Sequence, residues 1–158
     1  MSKLVAYFTA SGAGVTAGVA ERLAGVTGAA LYEIRPETPY TAADIDWRDK
    51  TSRSTVEMND PDCRPALADR EAPVADADTV FVGFPVWWYR EPSIVDTFLE
   101  AYDFSGKTIV PFCTSGSSGI GDTYKRIAEI AKGAKVLHGE RFAANVSADE
   151  LKKWAESL

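Results

Sequence analysis

Residues 4–16 constrain the fold more than any other stretch of the chain. An apolar, strand-like run at residues 4–8 ends at a loop of glycines, small residues and hydroxyls, and helical spacing of apolar residues follows. Free backbone N–H groups and the helix dipole make such a helix start attractive to anions. The loop matches neither a Walker motif nor a dinucleotide fingerprint. The segment therefore predicts a phosphate site, with an ordinary strand–turn–helix as the alternative.

Strand-like and helix-like segments alternate over the whole chain. The run at residues 79–84 is almost continuously hydrophobic, which is typical of a strand covered on both faces. The alternation predicts one α/β domain over residues 1–158, with a parallel sheet and helices on both faces. Strands are predicted at 3–9, 29–34, 79–84, 108–113 and 134–137, and helices at 16–24, 52–59, 92–99, 124–131 and 147–158, with a turn bracketed by Gly25 and Gly28.

A long polar connection interrupts this alternation at residues 36–77, between the second and third strands. It contains five prolines and one tryptophan, Trp47. Loops of this length are uncommon in compact domains and are often functional. We favour a surface wrap over one face of the sheet, anchored by Trp47, over a direct role in ligand binding.

Two further loops follow strand ends. Three consecutive aromatic residues, 87–89, follow the third strand, and a Ser- and Gly-rich segment, 114–121, follows the fourth. Ligands of open α/β sheets bind at the carboxyl ends of the strands. Together with the loop after the first strand, these segments predict a site for a ligand with a phosphate at one end and a flat ring at the other. Taken singly, the aromatic residues are explained by packing and the Ser/Gly segment by a turn.

Composition excludes several classes of protein. The net charge of −6 argues against nucleic-acid binding and against a polybasic membrane surface. Two cysteines and one histidine are too few for a disulfide framework or a metal cluster. No apolar run is long enough to span a membrane, and no secretory signal is evident. We therefore expect a cytoplasmic protein without a metal.

Four motifs, in order along the chain, carry a family resemblance: Tyr-Phe-Thr-Ala-Ser-Gly12, Ser-Arg-Ser-x-x-Glu-Met-Asn-Asp-Pro61, Phe-Pro-x-Trp-Trp88, and Tyr-Asp-Phe-Ser-Gly-Lys107 leading to Pro-Phe-Cys-Thr-Ser-Gly116. The chain resembles flavodoxins, and most closely the short flavodoxin-like proteins with a Trp-Trp pair after the third strand. The resemblance implies a flavodoxin-like three-layer sandwich with a five-stranded parallel sheet of order 2-1-3-4-5 and FMN between strands 1 and 3.

The resemblance also implies which residues hold the cofactor. The first loop would bind the phosphate, the aromatic loop would flank the ring, and the third loop would line the pyrimidine edge of the ring. The first loop is two residues longer than the family pattern. The implied FMN-binding residues are Thr9, Ser11, Gly12, Ala13, Gly14, Val15, Thr16, Pro85, Val86, Trp87, Trp88, Tyr89, Thr114, Ser115, Gly116, Ser117 and Gly119.

The resemblance implies a low-potential one-electron carrier that works between two redox partner proteins, a reductase and an acceptor. An acidic protein disfavours a negatively charged reduced cofactor and so lowers its potential. We expect a monomer without catalytic residues of its own. The alternative is an FMN-dependent NAD(P)H:quinone or nitro reductase on the same fold. A response regulator is excluded because the first and third strands end at Thr9 and Pro85 instead of acidic residues.

Overall fold

The computed structural model describes residues 2–10, 14–115 and 118–158. Strands and helices alternate along these residues. In chain order they are β1 (Lys3–Tyr7), α1 (Val15–Thr27), β2 (Ala30–Glu33), α2 (Arg53–Met58), β3 (Thr79–Pro85), α3 (Ser93–Ala101), β4 (Thr108–Thr114), α4 (Thr123–Ile130), β5 (Lys135–Val136), β6 (Glu140–Phe142) and α5 (Ala148–Glu156).

The strands form one sheet of order β2-β1-β3-β4-β5, and every pair is parallel. The α/β class and the strand order predicted from the sequence are therefore confirmed. Because the strands are parallel, the segments that follow β1, β3 and β4 all leave the sheet at the same edge. This edge is where the candidate site is assembled.

The sequence predicted one strand beyond β4 in the sheet. In the structure this fifth position is shared by two short strands, β5 and β6, which both pair with β4. The Leu137 N–H donates to the Ile109 carbonyl. The backbone N–H and C=O groups of alternate β4 residues therefore point toward the fifth position, and Pro111 is one of these residues. Pro111 has no N–H to offer a neighbouring strand. Opposite it, Gly139 approaches so closely that an added Cβ would lie 2.2 Å from the Pro111 carbonyl oxygen. The fifth position is consequently split into two short strands.

Two apolar layers cover the sheet. One packs α1 and α5 against it, with Val19, Leu23 and Leu151 in contact with the layer that includes Phe81. The other includes residues of α3 and α4 together with Leu4, Val80 and Val82. β3 contributes to both layers, as its continuous hydrophobicity predicted. The sheet is thus buried between two apolar layers, and the loops of the candidate site leave it at the carboxyl ends of its strands.

The starts of α2 and α5 follow local sequence signals, but the predicted end of α1 does not. Ser52 and Ser147 accept hydrogen bonds from the N–H groups of Thr55 and Glu150, which begins α2 and α5. The predicted turn at Gly25 was wrong. α1 continues through Gly25 to Thr27 and ends at Gly28, whose φ of 71° provides the left-handed cap.

Candidate functional site

Two hydrogen bonds join the segments that follow β1, β3 and β4. The Oγ1 atoms of Thr16, near the start of α1, and Thr114, at the end of β4, are 2.8 Å apart, and both residues are buried. The Val86 N–H donates to the Thr114 carbonyl at 3.2 Å. Thr114 is therefore the common point at which the three segments meet.

A cleft of about 380 Å³ opens beside this junction. Three large aromatic side chains at the cleft are exposed to solvent: Trp47 at 72%, Trp88 at 37% and Tyr89 at 85%. Exposed aromatic side chains around one concave surface are suited to a flat ring system. The cleft is lined by Ile45, Trp47, Val86, Trp87, Trp88, Tyr89 and Ser118.

The aromatic residues sit on a tight turn. The N–H of Trp87 donates to the carbonyl of Arg90 at 3.0 Å, and the reverse bond is 3.1 Å. The two central residues, Trp88 and Tyr89, have φ angles of 46° and 65°. Such turns normally place Gly or Asn at these positions, because a Cβ is strained in the left-handed region. Strain of this kind is concentrated at functional sites, where the surrounding structure enforces it.

The two tryptophans have different environments. Trp87 packs edge-on against Phe8 and Tyr40, with ring centroids 5.7 and 5.4 Å away. Tyr40 is held in turn by the Arg53 guanidinium, 3.8 Å from its ring centroid, and by a hydrogen bond to Glu57. Burial and this hydrogen bond raise the pKa of Tyr40, so it stays protonated. Both tryptophans line the cleft, but Trp87 is fixed from the inside by these contacts, whereas Trp88 is exposed to solvent.

The start of α1 has the features of an anion site. Gly14 precedes the helix with φ of 63°, and it carries no side chain that could cap the free N–H groups. The first turn of α1 contains no acidic residue to compete with an anion. The start of α1 therefore offers uncapped N–H groups to an anion.

A cluster of charged side chains lies behind the aromatic turn. Glu91 and Asp96 are completely buried. Arg126 bridges them, with Nε 2.7 Å from a Glu91 oxygen and Nη2 2.8 Å from an Asp96 oxygen. Arg90 and Arg64 lie 3.6 and 3.9 Å from the same Asp96 oxygen. Burial, followed by the hydrogen bond and charge of Asp96, raises the pKa of Glu91 to about 8.

Comparison with known proteins assigns the chain and its fold to a family. The flavodoxin family model matches residues 2–158. The chain belongs to the flavodoxin family. Candidate flavoproteins from Bacteroides eggerthii and Bacteroides uniformis are 40% and 42% identical to it, each with a TM-score of 0.89. The alignments cover 99% and 98% of this chain and 96% and 97% of theirs.

A more distant structure shares the fold. A flavoprotein in complex with FMN from Lactobacillus acidophilus is 20% identical, with a TM-score of 0.67, and the alignment covers 98% of each chain. No curated protein matches the chain.

The residues of this flavodoxin-family chain fit a flavin. The aromatic cleft suits the ring, and the helix start at Gly14 suits a phosphate. Within the described residues, no group of three or more His, Cys, Asp or Glu side chains could hold a metal ion. No helix in those ranges has the length and hydropathy needed to cross a membrane.

The structure brings together most of the predicted site residues that it describes. Pro85 ends β3, and Val86, Trp87, Trp88 and Tyr89 line the cleft. Gly14, Val15, Thr16 and Thr114 lie at the junction of α1 with β4. Thr9 lines a neighbouring cavity of about 620 Å³ with Tyr40, and Gly119 is exposed. Ser11, Gly12, Ala13, Gly116 and Ser117 lie outside the described residues.

Ser115 is bound more firmly than a loop position would suggest. Arg141 of β6 donates from Nε to the Ser115 hydroxyl at 3.1 Å and from Nη2 to the Ser115 carbonyl at 2.6 Å. The Ser115 hydroxyl donates to the carbonyl of Ser118, a cleft residue. β6 thus holds the loop after β4 in place through Arg141.

Sequence reasoning missed the part of the long connection that reaches the cleft. Ile45 and Trp47 line it, and Trp47 is exposed instead of anchoring the connection in the core. The available signal was a lone tryptophan in an otherwise polar segment. The cluster of Glu91 and Asp96 was also missed, because their arginine partners at positions 64 and 126 are distant in sequence.

Proposed function

We propose that this chain binds FMN at the junction of the three loops and carries electrons between redox partner proteins. The observation that carries the proposal is the cleft with exposed aromatic side chains beside the uncapped start of α1. Further support comes from the FMN complex of the Lactobacillus acidophilus flavoprotein, which has the same fold. When bound, FMN supplies reversible electron transfer at its ring.

Residues at the start of α1 would hold the phosphate. The backbone N–H groups after Gly14 supply donors, and the helix dipole adds partial positive charge. Either Thr16 or Thr114 can be the donor in their hydrogen bond. If Thr114 donates, the Thr16 hydroxyl hydrogen remains available to a phosphate oxygen. Thr9, Ser11, Gly12 and Ala13 complete the proposed phosphate loop.

Residues of the aromatic turn would hold the ring. Trp88 and Tyr89 line the cleft, and Trp47 lines it from the long connection. Trp87, packed against Phe8 and Tyr40, would fix the position of the turn. Ser115, Gly116, Ser117 and Gly119 would face the polar edge of the ring with their backbone amides.

Two observations favour an electron carrier over a reductase. The described residues that line the cleft include no Asp, Glu, His or Lys, so they offer no strong acid or base for proton transfer to a substrate. The net charge of −6 would attract basic partner proteins and would not attract nucleotide phosphates. Negative charge and aromatic stacking both disfavour a reduced anionic cofactor, which lowers its potential.

The cofactor is tested by denaturing the purified protein and identifying the released flavin by chromatography. We expect FMN in a one-to-one ratio with protein. Recovery of FAD, or failure of the flavin-free protein to take up FMN, would contradict the first half of the proposal.

The role is tested by mixing the FMN-loaded protein anaerobically with NADH or NADPH in a stopped-flow instrument. We expect slow reduction that becomes fast only with a separate flavodoxin reductase, at a rate that falls as salt rises. Rapid reduction by NAD(P)H alone, with catalytic reoxidation by a quinone or nitro compound, would establish the reductase instead.

A further inference from the structure

Two buried oxygen atoms in the charged cluster face the interior without a partner. Glu91 and Asp96 are both completely buried, and Glu91 Oε2 and Asp96 Oδ1 have no hydrogen-bond partner within the described residues. A buried acceptor without a donor is costly and rare in native proteins. Both carboxyl groups accept from the same guanidinium, that of Arg126, at 2.7 and 2.8 Å, and therefore lie side by side. The two unpartnered oxygens therefore need a hydrogen-bond donor.

The surrounding cations do not supply that donor. Arg126 of α4 donates to the other oxygen of each carboxyl group, at 2.7 and 2.8 Å. Arg90 directs its guanidinium to the carbonyls of Glu91 and Met58. Arg64, from the long connection, pairs with Glu100 at 2.9 Å. These are the charged groups of the turn, of α3, of α4 and of the connection that face the pair.

The pair stands directly behind the strained turn. Arg90 is both the last residue of the turn and a cluster member, and it ties the turn to the Met58 carbonyl of the long connection. Arg126 ties the cluster to the Pro61 carbonyl of the same connection. A change in the repulsion between Glu91 and Asp96 would therefore be transmitted to the turn bearing Trp88.

We propose that Glu91 and Asp96 hold a single proton between their two unpartnered oxygens, and that this proton-sharing pair positions the aromatic turn at the cleft. Glu91 is the protonated member and donates to Asp96, which stays paired with Arg126. Glu91 and Asp96 are positioning residues, since they act through Arg90 and the turn.

Proton sharing predicts a definite pH dependence of stability. The folded-state pKa of Glu91 is raised from 4.5 to about 8, chiefly by burial and then by Asp96. Between these values the folded chain holds a proton that the unfolded chain has released. The free energy of unfolding therefore falls as pH rises through this range. Above it, two ionised carboxylates face each other and repel.

The test compares wild type with Glu91→Gln in the full chain as purified, by urea unfolding from about pH 5 to about pH 9. The glutamine amide donates to Asp96 as the protonated carboxyl does. We expect similar midpoints at low pH and a growing advantage for Glu91→Gln as pH rises. Glu91→Leu should be less stable at every pH, because Arg126 loses a partner. Glu129→Gln, at an exposed position of the same helix as Arg126, should follow the wild-type profile.

The positioning role is tested by the indole N–H signals of the four tryptophans in NMR spectra over the same range. We expect the Trp88 signal to shift with pH in wild type and to stay fixed in Glu91→Gln, while Trp154 in α5 stays fixed in both. If Glu91→Gln lowers the midpoint equally at every pH, no proton is shared. If stability behaves as expected but the Trp88 signal does not move, the pair has no positioning role. Neither readout requires FMN, so both stand apart from the proposed function.

Discussion

The candidate site has two halves that are built in opposite ways. The helix half, formed by residues 14–16 and Thr114, relies on backbone shape, small residues and one hydroxyl pair. The turn half, formed by residues 87–90, relies on large side chains in strained positions, supported by buried charges. The first half is sensitive to any added side chain. The second is sensitive to charge and pH, because its shape is enforced by an ionic cluster.

The largest expected effect comes from removing the cation that bridges the cluster. Arg126→Leu leaves a Glu91 and an Asp96 oxygen without their closest partner, and it should lower the free energy of unfolding by about 3 kcal/mol. Urea unfolding measures the loss. Lys125→Leu, at the neighbouring exposed position paired with Asp122, should change stability by less than about 0.5 kcal/mol. Equal effects of the two substitutions would show that the cluster does not support the fold.

The two tryptophans of the turn should separate stability from cofactor binding. Trp87→Ala removes an indole packed between Phe8 and Tyr40, and it should cost about 2–3 kcal/mol of unfolding free energy, since Trp87 is only partly buried. Trp88→Ala should cost less than about 1 kcal/mol but should raise the fluorescence of bound FMN by removing its quencher. If Trp87→Ala alone raised the emission, the assignment of the stacking residue would be reversed.

Alanine substitutions at two glycines distinguish the effect of backbone strain from the effect on phosphate binding. Gly14 and Gly106 both have positive φ, 63° and 77°, and both have room for a Cβ. Gly14→Ala and Gly106→Ala should each lower the unfolding free energy by about 1–2 kcal/mol through left-handed strain. Only Gly14→Ala should weaken FMN binding, as measured by fluorescence titration of the flavin-free protein. A matching loss of affinity in Gly106→Ala would mean that the phosphate end of the site does not depend on Gly14.

The smallest expected effect is a gain. Tyr89 is 85% exposed and has φ of 65°, so Tyr89→Gly should relieve strain and raise the unfolding free energy by about 1 kcal/mol. Tyr89→Ala keeps a Cβ in the left-handed region and should show no such gain. If both variants have the same stability, the turn is not strained at this residue.

The alternating α/β sheet was predictable because local and global signals agree, whereas its strand order was implied by the family resemblance. Residues 79–84 carry the hydrophobicity of a strand covered on both faces, and β3 contributes to both apolar layers. Ser147, three residues before Glu150, begins α5 as its capping signal predicted. The split fifth position was not predictable, because it depends on how Gly139 meets the Pro111 carbonyl across the sheet.

The loops of the candidate site could be predicted from the sequence, but the distant residues that hold these loops in place could not. Strand ends mark where the loops gather, so residues 85–89 and 114–115 could be named from the sequence. The residues that support them lie elsewhere in the chain: Arg126 in α4 and Arg141 in β6. Trp47, from the long connection, lines the same cleft. Such pairings are long-range, and no local spacing indicates them.

The split at Gly139 has a consequence for how molecules of this protein meet in concentrated solution. An uninterrupted outer strand offers a row of free N–H and C=O groups to a strand from another molecule, and this is a common route to aggregation. Here the outer boundary beside β4 consists of segments of only two and three residues. A strand from a second molecule could form few regular hydrogen bonds with these short segments. Gly139, by splitting the outer strand, therefore also protects this side of the protein from edge-to-edge polymerisation.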